Sequence, residues 1–362
     1  MSDSGRPPAR TWTTPARVVS VVLALAVLVA GFLVRPTVPE PDRPSTGDEQ
    51  LRQTIDRLYD GPRHRLAVAL VDRDGTRFAG FGTDEHDVFE IGSISKAFTG
   101  LLLADSVQRR EVRLDQPVGQ LLPLGEAPVG QVTLEELASH RSGLPRLAPS
   151  VLPQARGLLA RFTGADPYPY TVEELLDHAH SADVDGRGEA QYSNLGGALL
   201  GQALAKAAET EYDALLTERL LRPSGMTATR LPSTEAQAAP KGYSTGGRQE
   251  DPWLAGGYAP AGGAVSTAAD LAALAQRLLE TPGPLATALE PRHEYDGEDR
   301  IGLHWITSPL PETERSMVWH NGGTGGYRSF LALDRDRGRA VVVLSDVASD
   351  VDDLGADLLR EA

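Results

Sequence analysis

Segments that read as β-strands gather at the two ends of this chain and leave a helix-rich stretch between them, which constrains the fold more than any other feature. Near the front, Asp48 to Tyr59 repeats apolar residues at helical spacing (Leu51, Ile55, Leu58). His64 to Val71 then reads as a strand, Asp72-Arg-Asp-Gly75 as a hairpin turn and Thr76 to Phe81 as the return strand. Near the end, Ile301 to Ile306, Ser316 to His320, Arg328 to Leu333 and Arg339 to Leu344 are short strand candidates separated by turns. Val347 to Leu359 reads as a closing helix, whose Asp350, Asp352 and Asp353 suit a helix first turn better than a metal. From about Glu111 to Pro240 helical patterns dominate (134–139, 172–179, 195–208, 212–221), broken by Pro and Gly. The expected class is therefore α+β: an antiparallel sheet from both chain ends, flanked by helices, with a mostly helical insertion at about 111–240.

Ahead of this domain, Val18 to Val34 is a run of 17 residues in which only Ser20 and Gly31 interrupt the apolar types. As a helix it is about 26 Å long, short but sufficient to span a bilayer. Arg6, Arg10 and Arg17 precede it and a Pro-rich, mixed-charge stretch follows. The positive-inside rule then gives a cytoplasmic N-terminus (1–17), a transmembrane signal-anchor (18–34), a linker (35–47) and an outward-facing domain (48–362) at the cell membrane. A cleaved signal peptide, which would make the protein secreted, competes with this reading; Ala24-Leu-Ala26 has the small-residue form, but it lies in mid-run.

The net charge of -15 argues against a nucleic-acid partner, because a phosphate backbone needs a basic surface to neutralise it. The absence of cysteine excludes disulfides, thiolate nucleophiles and Cys-based zinc sites. His178-Ala-His180 sets two imidazoles about 200° apart on a helix with no third ligand spaced to join them, so no metal or other cofactor is expected.

With only three lysines in the chain, Ser93-Ile-Ser-Lys96 is an informative pair. Asp87 to Ile91 reads as extended, Gly92 permits a sharp turn, and Lys96 to Arg110 reads as a helix with Phe98, Leu101, Leu102 and Asp105 on one face. Ser93 then sits where a helix begins, with a lysine one turn on. Unpaired backbone N–H groups and the positive dipole end there stabilise an alkoxide and favour a neutral amine. Tyr192-Ser-Asn194 supplies a phenol and an amide just before a helix. Trp319-His-Asn-Gly-Gly-Thr-Gly-Gly326 follows a strand, and its glycines let backbone N–H groups approach a bound acyl group.

In this order, Ser93-Ile-Ser-Lys96, Tyr192-Ser-Asn194 and His320-Asn-Gly322 resemble the Ser-x-x-Lys, Tyr-x-Asn and Lys/His-x-Gly elements of the serine β-lactamase and penicillin-binding protein superfamily, in particular its class C β-lactamase-like hydrolases and D,D-peptidases. Connecting segments such as Thr133 to Pro145 and Pro260 to Thr267 resemble that family too, over roughly residues 50 to 350. The resemblance implies a β-lactamase/transpeptidase-like fold and a serine hydrolase acting on a small-molecule or peptide substrate through an acyl-serine. Ser93 would be the nucleophile, with Lys96, Tyr192 or the two together as the base. Asn194 would position Lys96 and the substrate amide, and the backbone N–H groups of Ser93 and Gly323, which follows Gly322, would hold the oxyanion. The implied acyl groups are a stem peptide ending in D-Ala-D-Ala, a β-lactam, a D-amino acid amide or an ester.

Many penicillin-recognising relatives carry lysine where this chain has His320. Weaker or pH-dependent selection of carboxylated β-lactams is therefore expected, unless Arg328 supplies the charge. Gly242-Tyr-Ser-Thr-Gly246 matches a nucleophile elbow, but a loop follows it where a helix is required. A non-turnover binding protein that stays acylated is the alternative from another class. The sequence sets no oligomeric state.

Overall fold

Leu66-Ala-Val-Ala-Leu-Val71 and Ala340-Val-Val-Val-Leu344 are apolar at every position, as strands covered on both faces must be. In the computed structural model, which describes Val19, Val22 and residues 36–147, 151–280 and 283–361, these runs lie side by side at the sheet centre. The strands are β1 (Thr46–Gly47), β2 (Leu66–Asp72), β3 (Gly75–Phe81), β4 (Phe89–Glu90), β5 (Val265–Ser266), β6 (His293–Glu294), β7 (Arg300–Ile301), β8 (Ile306–Pro309), β9 (Ser316–Gly323), β10 (Arg328–Asp334) and β11 (Arg339–Ser345). Nine form one sheet in the order β1-β3-β2-β11-β10-β9-β8-β7-β6, with β2 antiparallel to β11, so strands from both chain ends meet at its centre as expected. β4 and β5 make a small separate pair beside it.

Period-two alternation sorts the side chains into two cores. Leu66, Val68, Leu70, Val341 and Val343 face α1 (Glu49–Leu58) and the C-terminal helix. Ala67, Ala69, Val71, Val342 and Leu344 face a larger core. That core holds α2 (Ile94–Gln108) and α3 (Leu134–Ala138), then, beyond α4 (Val151–Thr163), whose Leu158, Leu159 and Phe162 are exposed, α5 (Val172–His180), α6 (Asn194–Ala207), α7 (Tyr212–Leu216), α8 (Ala259–Gly262) and α9 (Ala268–Glu280); α10 (Asp352–Glu361) closes the chain against the smaller core. Thr133 and Thr171 start α3 and α5 with reciprocal capping boxes to Glu136 and Glu174.

Several expectations need correction. α2 is buried all round rather than along one face, because the sheet-side loops and α6 enclose it; Asp105 ion-pairs with Arg109 at its outer end. Residues 301–306 are not one strand: the N–H groups of Leu303 and His304 donate to Ala288 and Ala138, which pulls the backbone out of the sheet between β7 and β8. The closing helix starts at Asp352, not Val347, because residues 346–348 bond to Tyr243; Asp350 precedes it and accepts the Asp352 N–H. The helical stretch is no separate insertion, since α6 shares the core of α2. The linker ends in β1, which pairs with β3, and Arg43 within it ion-pairs with Asp87.

Residues 38–362 cluster as one unit, distinct from 1–37. The 1–17 segment lies outside the described residues, as does the 18–34 run except for Val19 and Val22. Among the described residues no helix is long and apolar enough to cross a membrane.

Candidate active site

Ser93 stands in the N-cap place of α2, yet its hydroxyl makes no capping bond and is left for other partners. It accepts a hydrogen bond from the Tyr192 hydroxyl at 2.6 Å and lies 3.2 Å from Lys96 Nζ. Three residues apart, Ser93 and Lys96 share one side of the helix. Lys96 is fully buried, and Nζ also reaches Asn194 Oδ1 at 2.7 Å and the Ala261 carbonyl at 2.6 Å. Burial, with the nearby Arg146 charge second, holds its pKa well below the usual lysine value. A neutral amine has two N–H donors and one lone pair. The two carbonyl oxygens take both donors, which leaves the lone pair for the Ser93 hydroxyl proton. Burial pushes the Tyr192 phenol in the other direction, above its usual pKa, so it stays protonated and donates to Ser93.

The loop before α6 is clamped by the segment that follows α3. Ser193 caps α6 by accepting the Gly196 N–H at 2.9 Å and donates its hydroxyl to Pro145. Its own N–H donates to His140 Nδ1, while the Asn194 N–H donates to the Arg146 carbonyl. Asn194 Nδ2 donates to the Tyr168 hydroxyl at 2.6 Å, which fixes the amide so that Oδ1 faces Lys96. β9 runs straight through His320, Asn321 and Gly322 to Gly323, which pairs with Arg328, so these glycines are strand rather than turn. Gly92 has φ +48°, and a Cβ there would lie 2.6 Å from the Gly323 nitrogen. This close approach brings Gly323 beside Ser93, and both line a recess that opens into a wider groove. Ser93, Lys96, Tyr192, Asn194, Gly322 and Gly323 are therefore brought together.

His320 departs from expectation. It is 2% exposed, its Nδ1–H donates to the Asn321 carbonyl at 2.6 Å, and burial with Lys96 nearby lowers its pKa to about 4. It is neutral throughout the physiological range, which removes the expected pH-dependent selection by this residue. We predict that His320→Gln leaves the shape of the kcat/KM profile between pH 5 and 8 unchanged; a limb that disappears in the variant would contradict this. Arg328 is half-buried and donates to the Thr324 and Tyr327 carbonyls, bracing the β9–β10 turn. Ser244 sits in a loop closed on itself by bonds with Arg248, with no helix following it as an elbow requires. His178 contacts the Tyr258 hydroxyl and His180 the Leu124 carbonyl; among the described residues no three His, Cys, Asp or Glu could hold a metal.

Sequence reasoning missed several wall residues. Tyr168, Trp253 and Tyr258 form an aromatic cluster beside Ser93, with ring centroids 5.2 Å apart from Tyr168 to each of the others. Behind this wall the buried Glu90 accepts the Trp253 backbone N–H and is raised to about 7 by burial. Arg146 follows directly on the quoted Thr133 to Pro145 segment. A glutamate between the apolar Phe89 and Ile91 was a readable sign for Glu90; the aromatics lie on loops without periodicity.

A two-core α+β molecule in which a serine, a buried lysine and a half-buried tyrosine meet at one point has the layout of a serine acyl-transfer hydrolase. The family model described as Beta-lactamase matches residues 51–362, so the chain belongs to the beta-lactamase family and is a serine hydrolase of it. It is 27% identical over 338 residues to the Unguisins hydrolase ungD' of Aspergillus campestris, covering 81% of this chain and 60% of that protein. It is 25% identical over 357 residues to the D-alanyl-D-alanine-carboxypeptidase/endopeptidase AmpH of Escherichia coli strain K12, covering 90% of each. The solved structure of a class C beta lactamase from Rhodobacter sphaeroides superposes with a TM-score of 0.70 at 22% identity, over 85% of this chain and 95% of that one. At that identity the likeness shows the β-lactamase/transpeptidase-like fold alone.

Proposed function

We propose that the chain is a membrane-tethered, extracytoplasmic hydrolase that cleaves a cell-wall-peptide-like amide, ester or β-lactam through an acyl group on Ser93. The observation that carries this reading is the setting of Lys96: the Asn194 and Ala261 carbonyl oxygens hold Nζ 3.2 Å from Ser93 Oγ, and burial lowers its pKa, so in the neutral amine, with both N–H groups on those carbonyls, the lone pair is left for the Ser93 proton. Lys96 takes the Ser93 proton as Oγ bonds to the substrate carbonyl carbon. The oxyanion lies between the backbone N–H groups of Ser93 and Gly323. As the carbon–leaving-group bond breaks, the leaving nitrogen or oxygen takes a proton from the Lys96–Tyr192 pair, Tyr192 being the hydroxyl that touches Oγ. Water then attacks the acyl carbonyl, gives one proton to the pair, and restores Ser93.

The peptide-like substrate is supported by the match to a D-alanyl-D-alanine carboxypeptidase along 90% of both chains. Tethering is supported by the 17-residue apolar run with arginines before it. Release of D-alanine from an N-acylated peptide ending in D-Ala-D-Ala, measured beside hydrolysis of a β-lactam and a 4-nitrophenyl ester, tests the reading. Many turnovers per enzyme, lost in Ser93→Ala, are expected with at least one of the three. A single stoichiometric burst with all three would contradict turnover and describe a protein that stays acylated. Protease added to intact cells should digest residues 48–362; protection of that domain would place it inside.

A further inference from the structure

We propose that Arg146 is a specificity-determining residue that selects acyl donors carrying an anionic group, such as a carboxylate, on the acyl side of the bond cleaved at Ser93. The proposal rests on the reading of Ser93 above and adds the chemistry of the group it transfers. Arg146 is exposed on the cleft wall and lines both the recess and the wider groove together with Ser93. Its guanidinium carbon lies 5.0 Å from the centroid of the Tyr192 ring, the ring whose hydroxyl touches Ser93. Among the described residues the guanidinium has no hydrogen-bond acceptor and no ion-pair partner.

Asp296 and Asp299 also line the groove and, being acidic, cannot recruit an anion; the remaining charged groups of the cleft are held by other partners or neutral. Arg248 is paired with Glu250 at 2.7 Å and donates to the Phe162 carbonyl. Arg328 is turned to the backbone of its own turn. Asp166 accepts the N–H groups of Tyr168 and Leu254, one on each carboxylate oxygen. His320 is neutral and buried. A planar fork of unused donors beside the nucleophile matches a carboxylate in two-point geometry. The Arg146 carbonyl accepts the Asn194 N–H, and Asn194 is the residue read as holding the substrate amide; on that reading the anion is assigned to the acyl group, the part of the substrate that the paired esters vary.

The test uses a matched pair of esters, 4-nitrophenyl hydrogen glutarate and 4-nitrophenyl valerate, with kcat/KM taken for each and spontaneous hydrolysis subtracted. The readout is the ratio of the two within each variant, so any shared loss of rate cancels. The wild-type chain should favour the carboxylated ester by about 10-fold or more, in line with a hydrogen bond to a charged group. The ratio should fall to near one in Arg146→Met, stay above one in Arg146→Lys and fall below one in Arg146→Glu. Raising the salt to about 1 M should narrow the wild-type preference. A wild-type ratio near one, or a preference that survives Arg146→Met, overturns the proposal, while Ser93-dependent turnover of the valerate ester leaves the hydrolase reading standing. Turnover that survives Ser93→Ala sinks that reading, and the assignment of Arg146 falls with it.

Discussion

Exchange of Lys96 for methionine should lower kcat/KM by about 100- to 10,000-fold, the range general-base catalysis supplies, while the domain stays folded. Methionine keeps the buried stem and removes the lone pair. Asn194 Oδ1 and the Ala261 carbonyl lose a donor, so some stability is lost as well. The wild-type pH dependence carries the same logic. Lys96 works only when neutral, and its pKa lies well below the ordinary lysine value, so activity rises with pH through that lowered pKa and is level before pH 10.5. Because the Arg146 charge contributes to the lowering, Arg146→Met should move the acid limb to higher pH. A stopped pH series of kcat/KM on both variants checks this. An acid limb near 10.5 in the wild type would show a charged lysine and contradict the mechanism.

Gly322→Ala should reduce kcat/KM by about 100-fold or more and lower stability by about 1–3 kcal/mol. An added Cβ would meet the Ile91 carbonyl oxygen at 2.0 Å and Ser329 Oγ at 2.4 Å, and the first is backbone that cannot swing aside. β9 would have to retreat from the Ile91-Gly92-Ser93 corner and take Gly323 with it. Misplacing one oxyanion donor by an ångström is enough to produce a loss of this size. The same substitution at Gly130, whose nearest neighbour would be 3.7 Å away, should change activity little. Steady-state rates and denaturant midpoints for both variants measure the contrast; full activity in Gly322→Ala would show that β9 is not held at this distance.

Much of this was readable before the structure, for physical reasons that differ by element. The central strands show as continuous apolar runs because both faces are covered, and the terminal hairpin announced itself through Asp72-Arg-Asp-Gly75. Ser93 and Lys96 were singled out by their spacing at a helix start, and Tyr192 and Gly323 by the resemblance of their motifs; the structure brings these four together. The break at residues 302–305 was hidden, since the Leu303 and His304 amides pair with Ala288 and Ala138, partners far away in sequence. The neutrality of His320 was hidden likewise: it follows from burial that no local pattern encodes. Nor does sequence say which arginine is spoken for. Arg146, Arg248 and Arg328 look alike as letters, and only the distances to Glu250 and the turn carbonyls separate them.

The most direct test of the central claim is intact-protein mass spectrometry after brief incubation with a β-lactam and, separately, with an activated ester, followed by peptide mapping and a time course. An increment equal to the acyl group, mapped to Ser93, absent in Ser93→Ala and decaying as product accumulates, is the predicted result. Consumption of substrate with Ser93 unmodified at every time point, and undiminished in Ser93→Ala, would contradict it.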